Sequence, residues 1–162
     1  MRHVRSIALP LILALAACQQ QEAKRDSPVA APEAKPGMAL SGGRLVLPAV
    51  KGNPGAAYFK LENTGSGAVS LALVTIEGAA KAEVHQTMTG SMEPVDRIDV
   101  DAGSAIEFRP GELHVMAFDL DPKLAAGGRT EITLTFADGD KLSAPLVIES
   151  AGQAAMGEEH GH

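Results

Sequence analysis

The chain has 162 residues, 45% of them hydrophobic and 21% charged, with a formal net charge of −6. That length allows one hydrophobic core of ordinary size. An acidic chain with 3% aromatic residues and no basic patch lacks both the cations and the stacking rings that nucleic-acid binding needs.

Residues 1–18 read as an export signal: Arg2 and Arg5, an apolar run from Ile7 to Ala17, then Cys18. The run is too short to span a bilayer as a helix. Leu15-Ala16-Ala17-Cys18 resembles a bacterial lipobox, which makes Cys18 the expected lipidation site. The rival reading is an ordinary cleaved signal with a chance cysteine. Cys18 is the single cysteine, so no intramolecular disulfide can form. Removing Arg2 and Arg5 leaves 12 basic and 20 acidic residues, formally −8.

Residues 19–39 carry Pro28, Pro32 and Pro36 among Gln, Ala and mixed charge, without apolar periodicity. Such a segment buries too little to offset its ordering entropy, and it is expected to be a disordered tether. About twenty proline-bearing residues reach roughly 60 Å when extended.

Residues 40–150 are the expected folded domain. Arg44–Pro48, Ala57–Glu62, Val69–Leu73, Ala82–Gln86, Ser104–Phe108, Val115–Leu120, Glu131–Phe136 and Leu142–Ile148 all have strand character. Asn63–Gly67 is a turn, and Asp138-Gly139 suggests a type I′ hairpin. Short strands at about ten-residue spacing, with Gly/Pro turns between them, predict an all-β fold, an antiparallel sandwich or barrel, with the Greek-key β-sandwich as the expected form. No amphipathic helix is expected. Residues 151–162 have no core-forming pattern and are read as a flexible His/Met tail.

Two histidines fall in the folded region, and each has methionine close by. His85 is followed by Met88 and Met92, and His114 by Met116 at i+2. On a strand, His114 and Met116 share a face. Phe118 and Leu120 continue that face, so it is expected to be the buried one. His85 is expected to point opposite to Val84, and Met92 to lie in a Gly/Ser loop. Taken singly, a strand histidine is a hydrogen-bonded structural residue and a methionine is core filler. Taken together, imidazole and thioether are soft, neutral donors that suit Cu(I) and not Mg, Ca or Mn. A blue-copper site would need a cysteine thiolate, and structural zinc would need thiolates or more imidazoles. The candidate metal ligands are His85, Met92, His114 and Met116, with Met88 competing for the loop position. Met156, His160 and His162 form an auxiliary set in the tail, beside Glu158 and Glu159, whose harder oxygens suit Cu(II). No nucleophile–base pair or carboxylate dyad stands out, so the chain is not read as an enzyme.

The run His85…Met92-Glu93-Pro94-Val95…His114-Val115-Met116, with 21 residues between Met92 and His114, resembles the PCuAC family of periplasmic copper chaperones. Pro110-Gly111-x-x-His114-x-Met116 matches that family well. The resemblance extends over Ala57–Asn63 and the C-terminal strands. The family usually has ten residues between the first histidine and the methionine, and this chain has six. The resemblance implies a cupredoxin-like sandwich that binds Cu(I) and passes it towards cytochrome c oxidase. The implied recipient is an oxidase subunit or another copper chaperone, and the location is the periplasm, with membrane contact only through the lipid anchor. Copper storage or resistance remains an alternative, as does a metal-free β-sandwich binding or assembly lipoprotein. A copper-dependent oxidase is a third reading.

Overall fold

Alternation of side chains decides the architecture. In strand β2 (Gly55–Asn63) every second residue is buried, from Gly55 to Asn63, while Ala56, Tyr58, Lys60 and Glu62 stay half-exposed. The computed structural model describes residues 34–158. The other strands are β1 (Met38–Leu47), β3 (Val69–Ile76), β4 (Ala79–Met88), β5 (Ser91–Pro94), β6 (Ile98–Val100), β7 (Ala105–Phe108), β8 (Leu113–Leu120), β9 (Arg129–Phe136) and β10 (Lys141–Ser150). They hydrogen-bond in the order β5-β4-β8-β2-β1-β10-β9-β3-β6, with β7 also paired to β2. Neighbours are often distant in sequence, as in β1–β10, β2–β8 and β3–β9, which is the expected Greek-key sandwich. The ladders are antiparallel except for β1–β10, which is parallel.

Every strand but β5 sends buried residues into one core. Leu45, Leu61, Val100, Val115, Ile132, Leu134 and Leu146 are fully buried, and Phe59 stacks on Phe108 at 4.2 Å between centroids. Each such side chain contributes about 1.5–3 kcal/mol by leaving water. Asn63 is the polar member of this interior. Its Nδ2 donates to the carbonyls of Gly67 (2.8 Å) and Val100 (3.0 Å), and its Oδ1 accepts from the Gly65 amide (3.0 Å). One side chain thus ties the expected Asn63–Gly67 turn to β6.

The structure departs from the sequence reading in several places. β1 begins at Met38, inside the stretch read as tether, and Lys35 is already buried, its ammonium on Asp138 and Asp140. Those bonds, to Asp138 first, hold Lys35 above the usual lysine range and Asp138 below the usual aspartate range. The β9–β10 hairpin exists but is not type I′. Gly139 alone has positive φ (90°), Gly139 N donates to Phe136 O, and Phe136 N donates to Asp140 O. This is a three-residue loop in which a type I turn is followed by a glycine bulge. β5 and β6 were not foreseen, because three or four residues leave no readable alternation. A helix, α1 (Ala151–Glu158), stands where a flexible tail was expected. Ser150 and Gln153 explain its start. Ser150 Oγ accepts from the Gln153 amide, and Gln153 Oε1 accepts from the Ser150 amide, a reciprocal capping box. The leader 1–18, the tether up to residue 33, and residues 159–162 lie outside the described residues.

Replacing Asn63 with alanine leaves two carbonyls and an amide without their partner, and each unmet buried group costs about 1–3 kcal/mol. Urea denaturation of Asn63→Ala is expected to show a loss of about 3 kcal/mol, with the β-rich circular dichroism retained below the transition.

Candidate metal centre

The β4–β8 ladder sets His85 directly opposite His114, with ring centroids 6.2 Å apart and planes tilted by 37°. The same ladder puts Glu83 opposite Met116, and the β4–β5 ladder puts Thr87 opposite Met92. Opposed residues share a face, as do residues two apart on one strand. Glu83, His85, Met92, His114 and Met116 therefore stand on one face of three neighbouring strands at one end of the sheet path. Met88 pairs with Ser91 and falls on the other face. Register thus separates the two competing methionines: Met92 lies with the histidines and Met88 does not. The Gly/Ser loop expected around Met92 is instead strand β5, entered through a tight turn with Gly90 at φ 83°. Met92 and His85 are diagonal neighbours, about 7–8 Å apart between Cα atoms in such ladders, within reach of a long flexible side chain.

This face is not the core face. Along β8 the buried positions are Leu113, Val115 and Ala117, while Met116, Phe118 and Leu120 are half-exposed. The expectation that His114, Met116 and Phe118 line the interior is corrected, because they stand on the outer half of the strand's alternation; Leu120, at the strand's end, is half-exposed but does pack against the core, as expected. His114 is nonetheless only 4% exposed. The His85 ring lies beside it, and the Tyr58 ring is 6.4 Å away. His85 does point opposite to the buried Val84, and its side chain is 14% exposed. Met92 is 49% exposed and Met88 57%.

Hydrogen bonding prepares the two rings differently. His114 Nδ1 lies 2.8 Å from the Glu112 carbonyl oxygen. A carbonyl only accepts, so Nδ1 carries the proton and Nε2 keeps a lone pair. The turn Arg109–Glu112, closed by Glu112 N donating to Arg109 O, puts that carbonyl in place. Both ring nitrogens of His85 are buried without a hydrogen-bond partner. Leaving a buried donor or acceptor unmet costs about 1–3 kcal/mol. The Glu83 carboxylate stands 3.5 Å from His85 Nε2, beyond ordinary hydrogen-bond length. Its other oxygen accepts from Lys81 Nζ at 2.7 Å, and that ammonium is the main reason the carboxyl titrates below its usual range. Lys81 in turn lies over the Phe118 ring, 5.6 Å from its centroid.

These residues fit a soft metal ion. At about 2.0 Å per metal–nitrogen bond, one ion bound to two imidazoles spans roughly 6 Å between ring centroids. The observed 6.2 Å is close to that span. Among the described residues no three His, Cys, Asp or Glu side chains converge. Sequence reasoning missed Glu83 and Tyr58. The alternation Lys81-x-Glu83-x-His85 on one strand would have found Glu83. Tyr58 carries no such mark, because it reaches the site across the β2–β8 ladder. Cys18, His160 and His162 lie outside the described residues, as does the side chain of Met156.

The family described as "Putative lipoprotein LpqE-like" matches residues 38–148. "Putative lipoprotein Lxx21020" of Leifsonia xyli subsp. xyli (strain CTCB07) is 33% identical over 98 residues, 57% of this chain and 58% of that protein. "Uncharacterized protein RP573" of Rickettsia prowazekii (strain Madrid E) is 32% identical over 88 residues, 51% of this chain and 49% of that protein. The matched stretches thus span about half of either relative. Among solved structures, "Copper-bound PCuAC domain from PmoF2" superposes with a TM-score of 0.63 at 18% identity, covering 74% of this chain and 98% of that one. "Solution structure of CuI-DR1885 from Deinococcus Radiodurans" superposes with a TM-score of 0.57 at 20% identity, covering 78% and 85%. The chain belongs to the LpqE-like family and has the fold of PCuAC domains.

Proposed function

We propose that this protein is an extracytoplasmic, lipid-anchored Cu(I)-binding chaperone that passes copper towards cytochrome c oxidase assembly, and that it is not an enzyme. The observation that carries the reading is the opposed pair His85–His114, whose His85 nitrogens are buried without partners, flanked on the same face by Met92 and Met116. Two imidazoles and two thioethers are neutral and soft. They leave Cu(I) with a single positive charge and hold Cu(II) less well. Copper is the cargo here. His114, almost wholly buried, is the inner ligand, and the half-exposed Met92 is the one an incoming recipient can displace. The copper-bound neighbours of the same fold support the choice of metal. The lipoprotein names of the family and of one relative support export and anchoring through Cys18. Among the described residues no helix is long and apolar enough to cross a membrane. The tail residues Met156, His160 and His162 are assigned an auxiliary role as a weaker Cu(II) site, with neighbouring Glu158 and Glu159 as harder donors.

Anaerobic competition titration should show one tight Cu(I) site in the full chain. Met116→Ala and Met92→Ala are each expected to weaken it at least tenfold, and Met88→Ala to leave it within about twofold. A thioether lost from the coordination sphere has no replacement on that face, whereas Met88 stands on the other. If Met116→Ala leaves the affinity untouched, this constellation is not the site. A wild type that takes up no Cu(I) at all points to a metal-free assembly lipoprotein instead.

His160→Ala with His162→Ala should lower Cu(II) uptake, read by electron paramagnetic resonance, and spare Cu(I).

Cys18→Ser should move the protein from the membrane fraction to the soluble fraction, because the lipid chain on Cys18 is the anchor in this reading and among the described residues no helix is long and apolar enough to cross a membrane. A wild type already soluble and unmodified at Cys18 would overturn the lipobox reading.

A further inference from the structure

We propose that His85 and His114 hold the metal through opposite ring nitrogens, and that Glu83 is the positioning residue that sets this asymmetry. The inference rests on the copper reading of the site and adds to it a residue outside the ligand set. A neutral imidazole has one N–H and one lone pair, so each ring gives one nitrogen to the metal and one to an acceptor. A metal-ligating histidine typically donates its other N–H to a carboxylate or a backbone carbonyl.

For His114 the division is already made. Nδ1–H faces the Glu112 carbonyl at 2.8 Å, and Nε2 is left for the metal. For His85 both nitrogens are buried and neither has a hydrogen-bond partner. The carboxylate of Glu83 stands 3.5 Å from its Nε2. Glu83 is held there from the far side, because its Oε1 accepts from Lys81 Nζ at 2.7 Å and Lys81 lies over the Phe118 ring. Its Oε2 faces the imidazole. A carboxylate at this pH accepts and does not donate, so the nitrogen facing it carries the proton. The lone pair, and with it the metal, then falls to Nδ1 of His85. Binding a cation at Nδ1 draws electron density from the ring and makes Nε2–H a stronger donor. The 3.5 Å gap then closes to a charge-assisted hydrogen bond, which is shorter and stronger than a neutral one. Lys81, Glu83 and His85 are successive residues of one face of β4, so the strand itself lines up cation, carboxylate and ligand.

Two-bond proton–nitrogen correlation spectra of the full chain, recorded without metal and after anaerobic loading with Cu(I), test the assignment. The expected result is Nε2–H for His85 and Nδ1–H for His114 before loading. On loading, the metal-induced shift falls on Nδ1 of His85 and Nε2 of His114. Glu83→Ala should weaken Cu(I) binding 10- to 100-fold and turn His85 into a mixture of tautomers, with circular dichroism unchanged. Glu83→Gln should recover part of the affinity, since its amide oxygen still accepts. Cu(I) bound through Nε2 of both rings overturns the assignment and leaves the copper reading standing. Unchanged affinity and tautomer in Glu83→Ala overturn the role of Glu83. A wild type that binds no Cu(I) overturns the copper reading and this assignment with it.

Discussion

The candidate centre depends on one constraint, the register that holds His85 opposite His114 between β4 and β8. The two residues are far apart in sequence, and only backbone hydrogen bonds bring them together. A slip of β4 by one residue would turn His85 to the other face of the sheet and leave His114 behind. What prevents the slip is on that other face. Val84 pairs with Val115, and both are buried in the core. Moving His85 inward would bury its imidazole and expose Val84, so the core enforces the geometry of a site that stands outside it.

This arrangement separates folding from ligand binding. The core is built of apolar side chains that do not include the candidate donors, and its strands pair along the whole path from β5 to β6. The donors stand outside, on three strands at one end of the sheet. Binding there can add stability, about 4 kcal/mol at a thousand times the dissociation constant, but it does not build the fold. Protection of the centre comes from neighbours on the outer face: Tyr58 by His114, Phe118 by His85, and the Arg109–Glu112 turn above them.

Much of this could be read from residue order. Alternation in Ala57–Glu62 and Val115–Leu120 marks strands, and turn residues mark their ends, because both follow from local chemistry. The two histidines that the β4–β8 ladder brings together were also legible, since only two fall in the folded region. What was not legible required knowledge of pairing. Phe118 looks like a core residue in the sequence, yet it lies on the outer face, because the strand has apolar residues on both sides and Leu113, Val115 and Ala117 are the ones buried in the core. Glu83 was legible two residues before His85 on one strand face, but a glutamate between charged and polar neighbours reads first as a solvated side chain. The helix after Ser150 was missed although Ser150 and Gln153 form a readable capping box. Its alanines and glycine offered no apolar stripe to draw attention to it.

The tight β4–β5 turn bears on how such sites are recognised from sequence. Met92 is placed by its pairing with Thr87, two residues beyond His85 on the same face. Residues added or removed at the tip of the hairpin lie beyond that pair and leave it undisturbed. The count of residues between histidine and methionine therefore measures the length of a protruding tip and says nothing about the distance between the donors. A chain with six intervening residues and one with ten can present the same pair of atoms. A pattern written as a fixed spacing along the chain will pass over relatives that one written in ladder positions would keep.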